Sequence, residues 1–262
     1  MNIGKRNIRQ LFKVITAKQH YLAFFNIFRF CPHPFDVFIR YFLAKGLYPY
    51  SIKIKTPLGV ISPTIYSYYD ILTINEIFFR LDYKVNNTAK IIVDFGSNIG
   101  ISALYFLTRN QKSKAYLFEP VPENLEKLRN NLFEFKDRYF LEDVAVSNDG
   151  GLKRFGTEEY GRCGGLLRET GNYINVKCVS VNEVLEDILN KEKQIDVLKI
   201  DTEGNELDII YSIEKKFLVK IKTIFFEVDY TSTLNTKQKI LPDFYRQFRY
   251  GNTIKLILKS FS

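Results

Sequence analysis

The sequence predicts an α/β fold in which a doubly wound, mostly parallel sheet follows a helical and hairpin extension at the N-terminus. From Lys90 onward, short runs of apolar residues alternate with longer segments of helical apolar spacing. This alternation is typical of parallel strands joined by right-handed helical crossovers, which is the Rossmann-like arrangement. The 262 residues and the 46% hydrophobic content allow one substantial α/β core and argue against a disordered chain.

The predicted elements divide the chain into an N-terminal basic, aromatic-rich extension and cap at residues 1–88 and a Rossmann-like domain at residues 89–262. The extension is predicted to hold a helix that ends by Gly46, a hairpin at residues 51–65 and a helix at about residues 70–81, with Asp70 as its candidate N-cap. In the domain, strands are predicted near residues 90–94, 114–118, 139–145, 195–200 and 222–228, and helices near residues 99–109, 122–135, 205–217 and 236–248.

Two segments of the domain leave alternatives open. Residues 150–171 hold seven of the fourteen glycines, so this interruption is either a cover that closes on substrate or a plain surface hairpin. A strand at residues 173–179 and a helix after Ser180 are predicted to follow it. At the C-terminus, either the sheet lacks a strand beside residues 253–258, or residues 246–250 supply that strand.

The most informative stretch is Ile91-Ile-Val-Asp94-Phe-Gly96-Ser-Asn-Ile-Gly100, a buried strand followed by an acid, two glycines and a helix. This order puts a carboxylate at the carboxyl end of a strand and lets the backbone approach a ligand where the helix begins. Because Gly96 and Gly100 stand four apart, the stretch differs from the G-x-G-x-x-G of dinucleotide-binding proteins. A carboxylate at Asp94 would repel a pyrophosphate, but it suits the cationic amino and sulfonium groups of S-adenosylmethionine.

Glu119 is the second acid at a predicted strand end. It follows the strand at residues 114–118, and a helix begins close after it, near Pro122. A carboxylate in this place can accept two hydrogen bonds from a ribose diol. The alternative is that Glu119 caps the following helix. Asp143, at the end of the third predicted strand, is expected to bond the adenine amine with help from the backbone of Val144.

Four motifs occur along this chain, in the order Asp94-Phe-Gly96-Ser-Asn-Ile-Gly100, Phe118-Glu119-Pro120, Asp143-Val-Ala-Val-Ser and Lys199-Ile-Asp201-Thr-Glu203-Gly204-Asn-Glu206. Over about residues 90–229 they resemble the FkbM family of S-adenosylmethionine-dependent methyltransferases. Residues 66–83 are similar to the segment before the core in members from surface-glycan gene clusters. The resemblance implies a fold of the class I methyltransferase type. It also implies O-methyl transfer, usually to a hydroxyl on a sugar, a lipid-linked glycan or a polyketide.

The acids after the fourth predicted strand are the best placed for catalysis. Asp201 would face the methyl group, and either Asp201 or Glu203 could take a proton or hold a divalent ion, so a metal stays open. Histidine, the usual base, occurs only in the extension, as His20 and His33. The alternative is that Thr202 or Asp201 caps the next helix. The expected cofactor-binding residues are Asp94, Gly96, Ser97, Asn98, Gly100, Glu119, Pro120, Asp143, Val144 and Asp201.

The formal charge of +9 is accounted for by residues 1–60 of the extension. Residues 1–60 carry ten basic residues against Asp36 alone, which leaves 28 residues of each sign in the rest of the chain. This segment is also rich in Phe and Tyr. Three interpretations stay open: a helix packed on the core with a solvated basic face, a basic amphipathic helix that contacts an anionic membrane through residues 1–45, and a nucleic-acid patch.

The location predicted from the sequence is cytoplasmic, with peripheral attachment to the inner membrane surface as an open alternative. No apolar run reaches the roughly 18–20 residues of a membrane-spanning helix. The three cysteines, Cys31, Cys163 and Cys178, are odd in number and lack metal-ligand spacing, so neither a disulfide framework nor a zinc site is indicated. This pattern fits a reducing compartment.

Together, these features predict an S-adenosylmethionine-dependent O-methyltransferase that acts on a hydroxyl of a sugar in a surface or secreted glycan. The expected acceptor is a small molecule or a glycan, free or lipid-linked. One alternative is an RNA-modifying methyltransferase, which the basic extension favours and the balanced core opposes. The other is a non-catalytic, membrane-associated partner of glycan-assembly enzymes that kept the cofactor cradle.

Overall fold

The structure is a computed structural model that describes residues 2–3, 6–7, 18–157, 164–166, 169–227, 239–250 and 252–259. The chain forms two compact units, Met1–Lys84 and Val85–Ser262. Within the described ranges, no helix is long and apolar enough to cross a bilayer. The motifs singled out in the sequence lie in the second unit.

The N-terminal unit combines helices with short strand pairs. Its elements are β1 (Asn2–Ile3), β2 (Arg6–Asn7), α1 (Lys18–Phe30), α2 (Pro34–Leu43), β3 (Tyr50–Ser51), β4 (Ile54–Thr56), β5 (Gly59–Ile61), β6 (Thr64–Ile65), α3 (Tyr68–Ile74) and a π-helical segment, Asn75–Phe79. β1 pairs with β2, β4 forms an antiparallel hairpin with β5, and β3 pairs with β6. The hairpin predicted for residues 51–65 is therefore confirmed.

Helix α3 begins before Asp70, because Ser67 is its N-cap. Ser67 Oγ accepts a hydrogen bond from the Asp70 amide at 3.4 Å, and the Asp70 carboxylate accepts one from the Ser67 amide at 2.9 Å. This reciprocal pair is a capping box, in which the acid stands three residues after the N-cap. The prediction of Asp70 as the N-cap is therefore wrong, although its carboxylate serves the same end of the helix.

The C-terminal unit, in its described part, is built on a seven-stranded sheet and a smaller one. Its strands are β7 (Ile91–Phe95), β8 (Lys114–Phe118), β9 (Tyr139–Glu142), β10 (Ala145–Ser147), β11 (Gly151–Thr157), β12 (Asn172–Ser180), β13 (Val197–Ile200), β14 (Thr223–Glu227), β15 (Tyr245–Tyr250) and β16 (Thr253–Leu258). Its helices are α4 (Ile101–Leu107), α5 (Pro122–Asn131), a 3₁₀ segment (Phe133–Arg138), α6 (Val181–Glu192), α7 (Glu206–Ser212) and α8 (Lys215–Leu218).

The large sheet has the strand order β15-β16-β14-β13-β7-β8-β9. β7, β8, β9, β13 and β14 run parallel, and β16 runs antiparallel to both β14 and β15. The strand order reverses at β7, because β8 lies on one side of it and β13 on the other. This arrangement confirms the predicted Rossmann-like, class I methyltransferase fold. In such sheets, ligands bind at the carboxyl ends of the strands where the order reverses.

The C-terminal strands settle one alternative and correct one prediction. β15 pairs with β16 along its length, so residues 246–250 do supply a strand of the sheet. The helix predicted at residues 236–248 is wrong over residues 239–248, because residues 239–244 lie in a loop of bends and turns and residues 245–248 belong to β15. Residues 228–238, which include the start of that predicted helix, lie outside the described residues.

The strand predicted at residues 139–145 is two strands in different sheets. β9 ends at Glu142 in the large sheet, and β10 begins at Ala145 in a second sheet of order β10-β12-β11. β12 pairs parallel with β10 and antiparallel with β11. The bend at Asp143 and Val144 therefore carries the chain from one sheet to the other. The helix predicted at residues 205–217 is likewise divided, into α7 and α8.

Candidate active site

A cavity of about 550 Å³ lies at the carboxyl ends of β7, β8 and β13. Its volume is in the range of small-molecule and cofactor sites. The loops after these strands form what we refer to as the floor: Gly96, Asn98, Glu119, Pro120, Asp201, Thr202 and Glu203. The β11–β12 segment contributes the hairpin wall: Phe155, Thr157, Gly164, Leu166, Asn172 and Ile174. The cavity is therefore shared between the predicted strand ends and the glycine-rich interruption.

Six of the site residues predicted from the sequence line this cavity: Gly96, Asn98, Glu119, Pro120, Asp201 and Glu203. Asp94, Ser97, Gly100, Asp143 and Val144 are not among the described lining residues. Asp143 is exposed and Val144 is buried, whereas Ala145 and Val146, which follow them, do line the cavity. The cofactor-binding roles of those five residues stay predictions.

Asp94 is completely buried next to the floor. Its Oδ1 accepts a hydrogen bond from Lys199 Nζ at 2.9 Å, and its Oδ2 accepts one from Ser102 Oγ at 2.5 Å. A buried carboxylate needs such partners, because an isolated charge in the protein interior costs much free energy. Asp94 is therefore linked to Asp201, which lines the cavity, through the Lys199 ammonium that contacts both carboxylates.

Lys199 links the ends of β7 and β13. Its Nζ lies 2.9 Å from Asp94 Oδ1, 3.1 Å from Gly96 O and 3.2 Å from Asp201 Oδ2. Burial alone would lower the pKa of Lys199, but the charges of Asp201 and Asp94 outweigh this effect and raise that pKa. Lys199 was not among the predicted site residues. A signal was nevertheless present, since a lysine inside a buried apolar strand requires an anionic partner.

Gly96 allows the loop after β7 to approach the loop after β13. The amides of Gly96 and Ser97 both donate to Phe118 O at 3.0 Å. Gly96 has a φ of +78°, and a Cβ at this position would lie 1.9 Å from Asp201 O. Asn98 has a φ of +49°, which asparagine tolerates better than most residues. Glycine at position 96 is thus required both for the backbone conformation and for the close approach.

Glu119 is buried and fixes the loops after β7 and β8. Its Oε2 accepts a hydrogen bond from the Asn98 amide at 2.8 Å, and its Oε1 accepts from the Val121 amide at 3.0 Å and from Asn124 Nδ2 at 3.2 Å. Burial raises the pKa of Glu119, and these donors partly offset the rise. Because Val121 is the N-cap of α5, Glu119 serves the start of that helix as well as facing the cavity.

Three acids follow β13 in different surroundings. Asp201 and Glu203 line the cavity, and Glu203 does so with a backbone φ of +59°. Glu206 is buried, and its Oε1 accepts hydrogen bonds from the amides of Thr202 at 2.9 Å and Gly204 at 3.1 Å. Burial raises the pKa of Glu206. Glu206 thus shapes the loop that presents the other two acids to the cavity.

The alternative in which Thr202 or Asp201 caps α7 does not hold. The N-cap is Asn205, whose side chain makes no capping hydrogen bond to the described atoms. Thr202 Oγ1 instead donates to Asn205 Oδ1 at 2.5 Å. Contacts with Glu206 and Asn205 therefore order the loop. The Asp201 side chain instead pairs with Lys199 and lines the cavity.

The glycine-rich interruption forms a hairpin that also lines the cavity. β11 and β12 pair from Gly151 opposite Cys178 to Thr157 opposite Asn172. Further along, Gly165 forms a β-bridge with Gly156, and a Cβ on Gly165 would lie 2.5 Å from Glu203 O. The segment is therefore a hairpin, but not the plain surface hairpin of one alternative, because it lines the cavity. Its closure on substrate stays a prediction. Residues 158–163 and 167–168 lie outside the described residues.

A metal centre is not evident in the part of the chain that the structure describes. There, no group of three or more His, Cys, Asp and Glu side chains could hold a metal ion. His33 is exposed on the N-terminal unit, and the side chain of His20 lies outside the described set. The sequence-based hypothesis that Asp201 or Glu203 holds a divalent ion stays a prediction.

Comparison with known proteins gives a family for this chain. The sequence matches the family model described as the methyltransferase FkbM domain over residues 94–250. It is similar to the AMB antimetabolite synthetase AmbE of Pseudomonas aeruginosa, with 23% identity over 205 residues, which are 64% of this chain and 10% of that protein. The chain thus spans about a tenth of the length of this curated relative.

Two solved structures are also similar to this chain. The methyltransferase FkbM from Methylobacillus flagellatus KT shares 16% identity with a TM-score of 0.45, over 69% of this chain and 46% of that chain. A methyltransferase from Geobacter sulfurreducens shares 14% identity with a TM-score of 0.38, over 66% of this chain and 73% of that chain. The family match itself covers more than half of the sequence and runs from Asp94 to the end of β15. This chain belongs to the FkbM methyltransferase family.

Proposed function

We propose that this chain is an S-adenosylmethionine-dependent O-methyltransferase that acts on a hydroxyl of a sugar in a surface or secreted glycan. Membership of the FkbM family supports methyl transfer. The observation that carries the cofactor assignment is the convergence of Glu119 and Asp201 on one cavity at the strand ends. Such a set of carboxylates suits a ligand that combines a ribose with cationic groups.

The residues around the cavity fit this cofactor. A carboxylate offers about four lone-pair sites, so Glu119 keeps acceptor capacity for a ribose hydroxyl beside its present donors. Asp201 supplies negative charge for the cationic groups. Val121, Ala145 and Phe155 give the cavity apolar surface of the kind that an adenine ring packs against. When bound, S-adenosylmethionine supplies an electrophilic methyl group on a sulfonium.

Transfer of a methyl group to a hydroxyl is an in-line displacement, so the chain mainly aligns the acceptor, excludes water and receives a proton. Alignment can supply on the order of 7–11 kcal/mol of the barrier. The ion pair with Lys199, at 3.2 Å, fixes the Asp201 carboxylate. We assign Asp201 to hold the donor and Glu203 to accept the proton of the acceptor hydroxyl, a step that typically contributes about 10² to 10⁴-fold in rate.

The choice of a sugar hydroxyl rests on two supports. Residues 66–83 resemble the segment before the core in family members from surface-glycan gene clusters. In addition, the sequence after position 60 has 28 basic and 28 acidic residues, without the basic excess that nucleic-acid binding requires. A neutral, hydroxyl-rich acceptor matches this balance better than a polyanion does.

The test is transfer of isotopically labelled methyl groups from S-adenosylmethionine to glycan extracts, with and without a chelator. We expect labelled glycan, and we expect Glu203→Gln to lower kcat by about 10² to 10⁴-fold with cofactor affinity near that of wild type. Asp201→Asn should lower both kcat and cofactor affinity. Asp208→Asn, on the exposed side of α7, is the matched control and should change neither.

Other outcomes would redirect or contradict the proposal. Label that appears in RNA and not in glycan would favour the RNA-modifying alternative. A folded protein that binds no S-adenosylmethionine would favour the non-catalytic alternative. Loss of transfer with the chelator, restored by a divalent ion, would assign a metal to the reaction.

A further inference from the structure

The N-terminal unit exposes an apolar surface on α1 and α2. Phe25 is 68% exposed and Phe35 is 71% exposed, and Phe24 and Phe28 are exposed as well. Monomeric proteins rarely leave contiguous apolar surface uncovered, and such surface marks sites of interaction. We define the aromatic patch as Phe24, Phe25, Phe28, Phe35 and Phe38.

The rings of the aromatic patch form one continuous surface across the two helices. The ring centroid of Phe24 lies 6.0 Å from that of Phe25, 5.0 Å from that of Phe28 and 6.1 Å from that of Phe38. Phe28 in turn lies 5.6 Å from Phe35 on α2. These side chains therefore present a joint apolar face rather than scattered single residues.

The segment that carries the aromatic patch is strongly basic. Residues 1–60 contain ten basic residues and a single acid, Asp36. The Asp36 carboxylate lies 3.1 Å from Arg40 Nε, so its charge is matched locally. Arg29, in the last turn of α1, and Lys45, just after α2, are exposed. Apolar rings and excess positive charge thus occur in the same unit.

We propose that the aromatic patch docks this protein on an anionic lipid bilayer. The rings enter the boundary between headgroups and acyl chains, while Arg29 and Lys45 meet lipid phosphates. Leu22 and Ile39, on the same two helices, are 45% and 44% exposed. Exposed aliphatic side chains favour a lipid surface over a nucleic acid, because single-stranded nucleic acids are held by stacking on aromatic rings and by charge.

The test is co-sedimentation of the full chain with vesicles of equal parts phosphatidylglycerol and phosphatidylcholine, and with phosphatidylcholine vesicles. Phe25→Ser/Phe35→Ser removes the two most exposed rings. Phe133→Ser/Leu152→Ser is the matched control, because these side chains are 69% and 73% exposed on the C-terminal unit. We expect wild type and control to bind anionic vesicles alike, and the patch variant to bind at least about tenfold more weakly.

A second variant separates charge from apolar contact. Arg29→Gln/Lys45→Gln keeps the rings and should weaken binding to anionic vesicles by about tenfold, with little effect on the weaker binding to phosphatidylcholine. Raising the salt concentration from about 0.1 M to about 1 M should weaken wild-type binding to anionic vesicles in the same direction. Circular dichroism and thermal unfolding midpoints show whether each variant keeps its fold.

Equal vesicle binding by wild type and a folded patch variant overturns the proposal, and so does the lack of a preference for anionic vesicles. A different outcome is that no vesicles bind, while poly(U) RNA binds the wild type and not the patch variant. The surface is then a nucleic-acid site, and the lipid proposal fails. It also fails if the wild type is a dimer that binds no vesicles and the patch variant is a monomer. None of these binding experiments measures methyl transfer, so their results do not depend on the proposed function.

Discussion

The floor of the cavity and its hairpin wall are ordered by different interactions. The floor is held by the ion pairs of Lys199 and by amide groups that donate to Glu119 and Glu206. The hairpin wall is held by β-pairing and by apolar packing, in which Phe155 belongs to a small buried cluster and Ile174 packs against it. The floor is therefore ordered by contacts within the chain, and the wall mainly supplies shape. Substitutions in the floor should cost stability, whereas those in the wall should change binding with little loss of stability.

The largest effect is expected for Lys199→Met. The substitution leaves Asp94 buried without its ammonium partner, and breaking a buried pair in this way typically costs about 3–5 kcal/mol. Urea denaturation measures the loss. Lys114→Met is the control, because the ion pair of Lys114 with Glu192 is exposed at the lysine and should change stability by less than about 1 kcal/mol. Similar free energies of unfolding for Lys199→Met and Lys114→Met would contradict the role of Lys199 in ordering the floor.

Gly96→Ala is expected to have the second-largest effect, and it tests the close approach of the loops after β7 and β13. Gly96 and Gly171 have φ values of +78° and +83°, so alanine is strained by the backbone at both positions. Only at Gly96 does the added Cβ meet a described atom closely, Asp201 O at 1.9 Å. We expect Gly96→Ala to lose about 1–3 kcal/mol more in the free energy of unfolding than Gly171→Ala. Equal losses of unfolding free energy in Gly96→Ala and Gly171→Ala would mean that the loops after β7 and β13 can lie further apart without a cost in stability.

Acidification should weaken cofactor binding through the floor. Burial raises the pKa of Glu119 above its ordinary value. Protonation places a hydrogen on one oxygen and reduces the acceptor capacity of the side chain. Affinity for S-adenosylmethionine should therefore fall as the pH falls through this raised pKa, by up to about tenfold per pH unit. Calorimetric titrations over a pH series measure this slope. In Glu119→Gln the slope should disappear, and an unchanged slope would assign it to another group.

The smallest effect is expected in the hairpin wall. Ile174→Val removes one methylene group from the cavity lining, and burial of a methylene is worth about 0.8 kcal/mol. Affinity for the cofactor or acceptor should fall by about fourfold, while the thermal unfolding midpoint stays close to that of wild type. Leu152→Ala, on the exposed part of the same hairpin, is the control and should change neither quantity. A large loss of stability in Ile174→Val would remove the contrast between wall and floor.

Most of the sheet could be predicted because its strands are continuous apolar runs. The predicted bounds of β8 match those observed, and the acids that follow β8 and β13 do lie at the cavity. The helix predicted over residues 236–248 failed at β15, where polar and aromatic residues give no clear periodicity. At β15, the structure is determined by pairing with β16 and by the burial of Tyr245. The Tyr245 hydroxyl donates a hydrogen bond to Leu218 O at 2.7 Å.

The rest of the candidate site depends on contacts between residues far apart in the chain. Asp94 was predicted as an acid at a strand end, but Lys199, more than a hundred residues later, determines which way its carboxylate is held. The hairpin wall carries no motif, because glycines and single apolar residues in a hairpin do not indicate which side chains face a cavity. The pairing of β12 with β10 places that hairpin next to the end of β9.

The role of the strand-end acids in holding the methyl donor is tested most directly by a calorimetric titration of S-adenosylmethionine into wild type, Glu119→Gln and Glu123→Gln. Both glutamates line the cavity, but Glu119 is buried with its donors and Glu123 is exposed. We expect Glu119→Gln to raise Kd by about 10 to 100-fold, while Glu123→Gln stays close to wild type. Wild-type affinity in a folded Glu119→Gln, or no binding by the wild type, would contradict the claim that the acids at these strand ends hold the methyl donor.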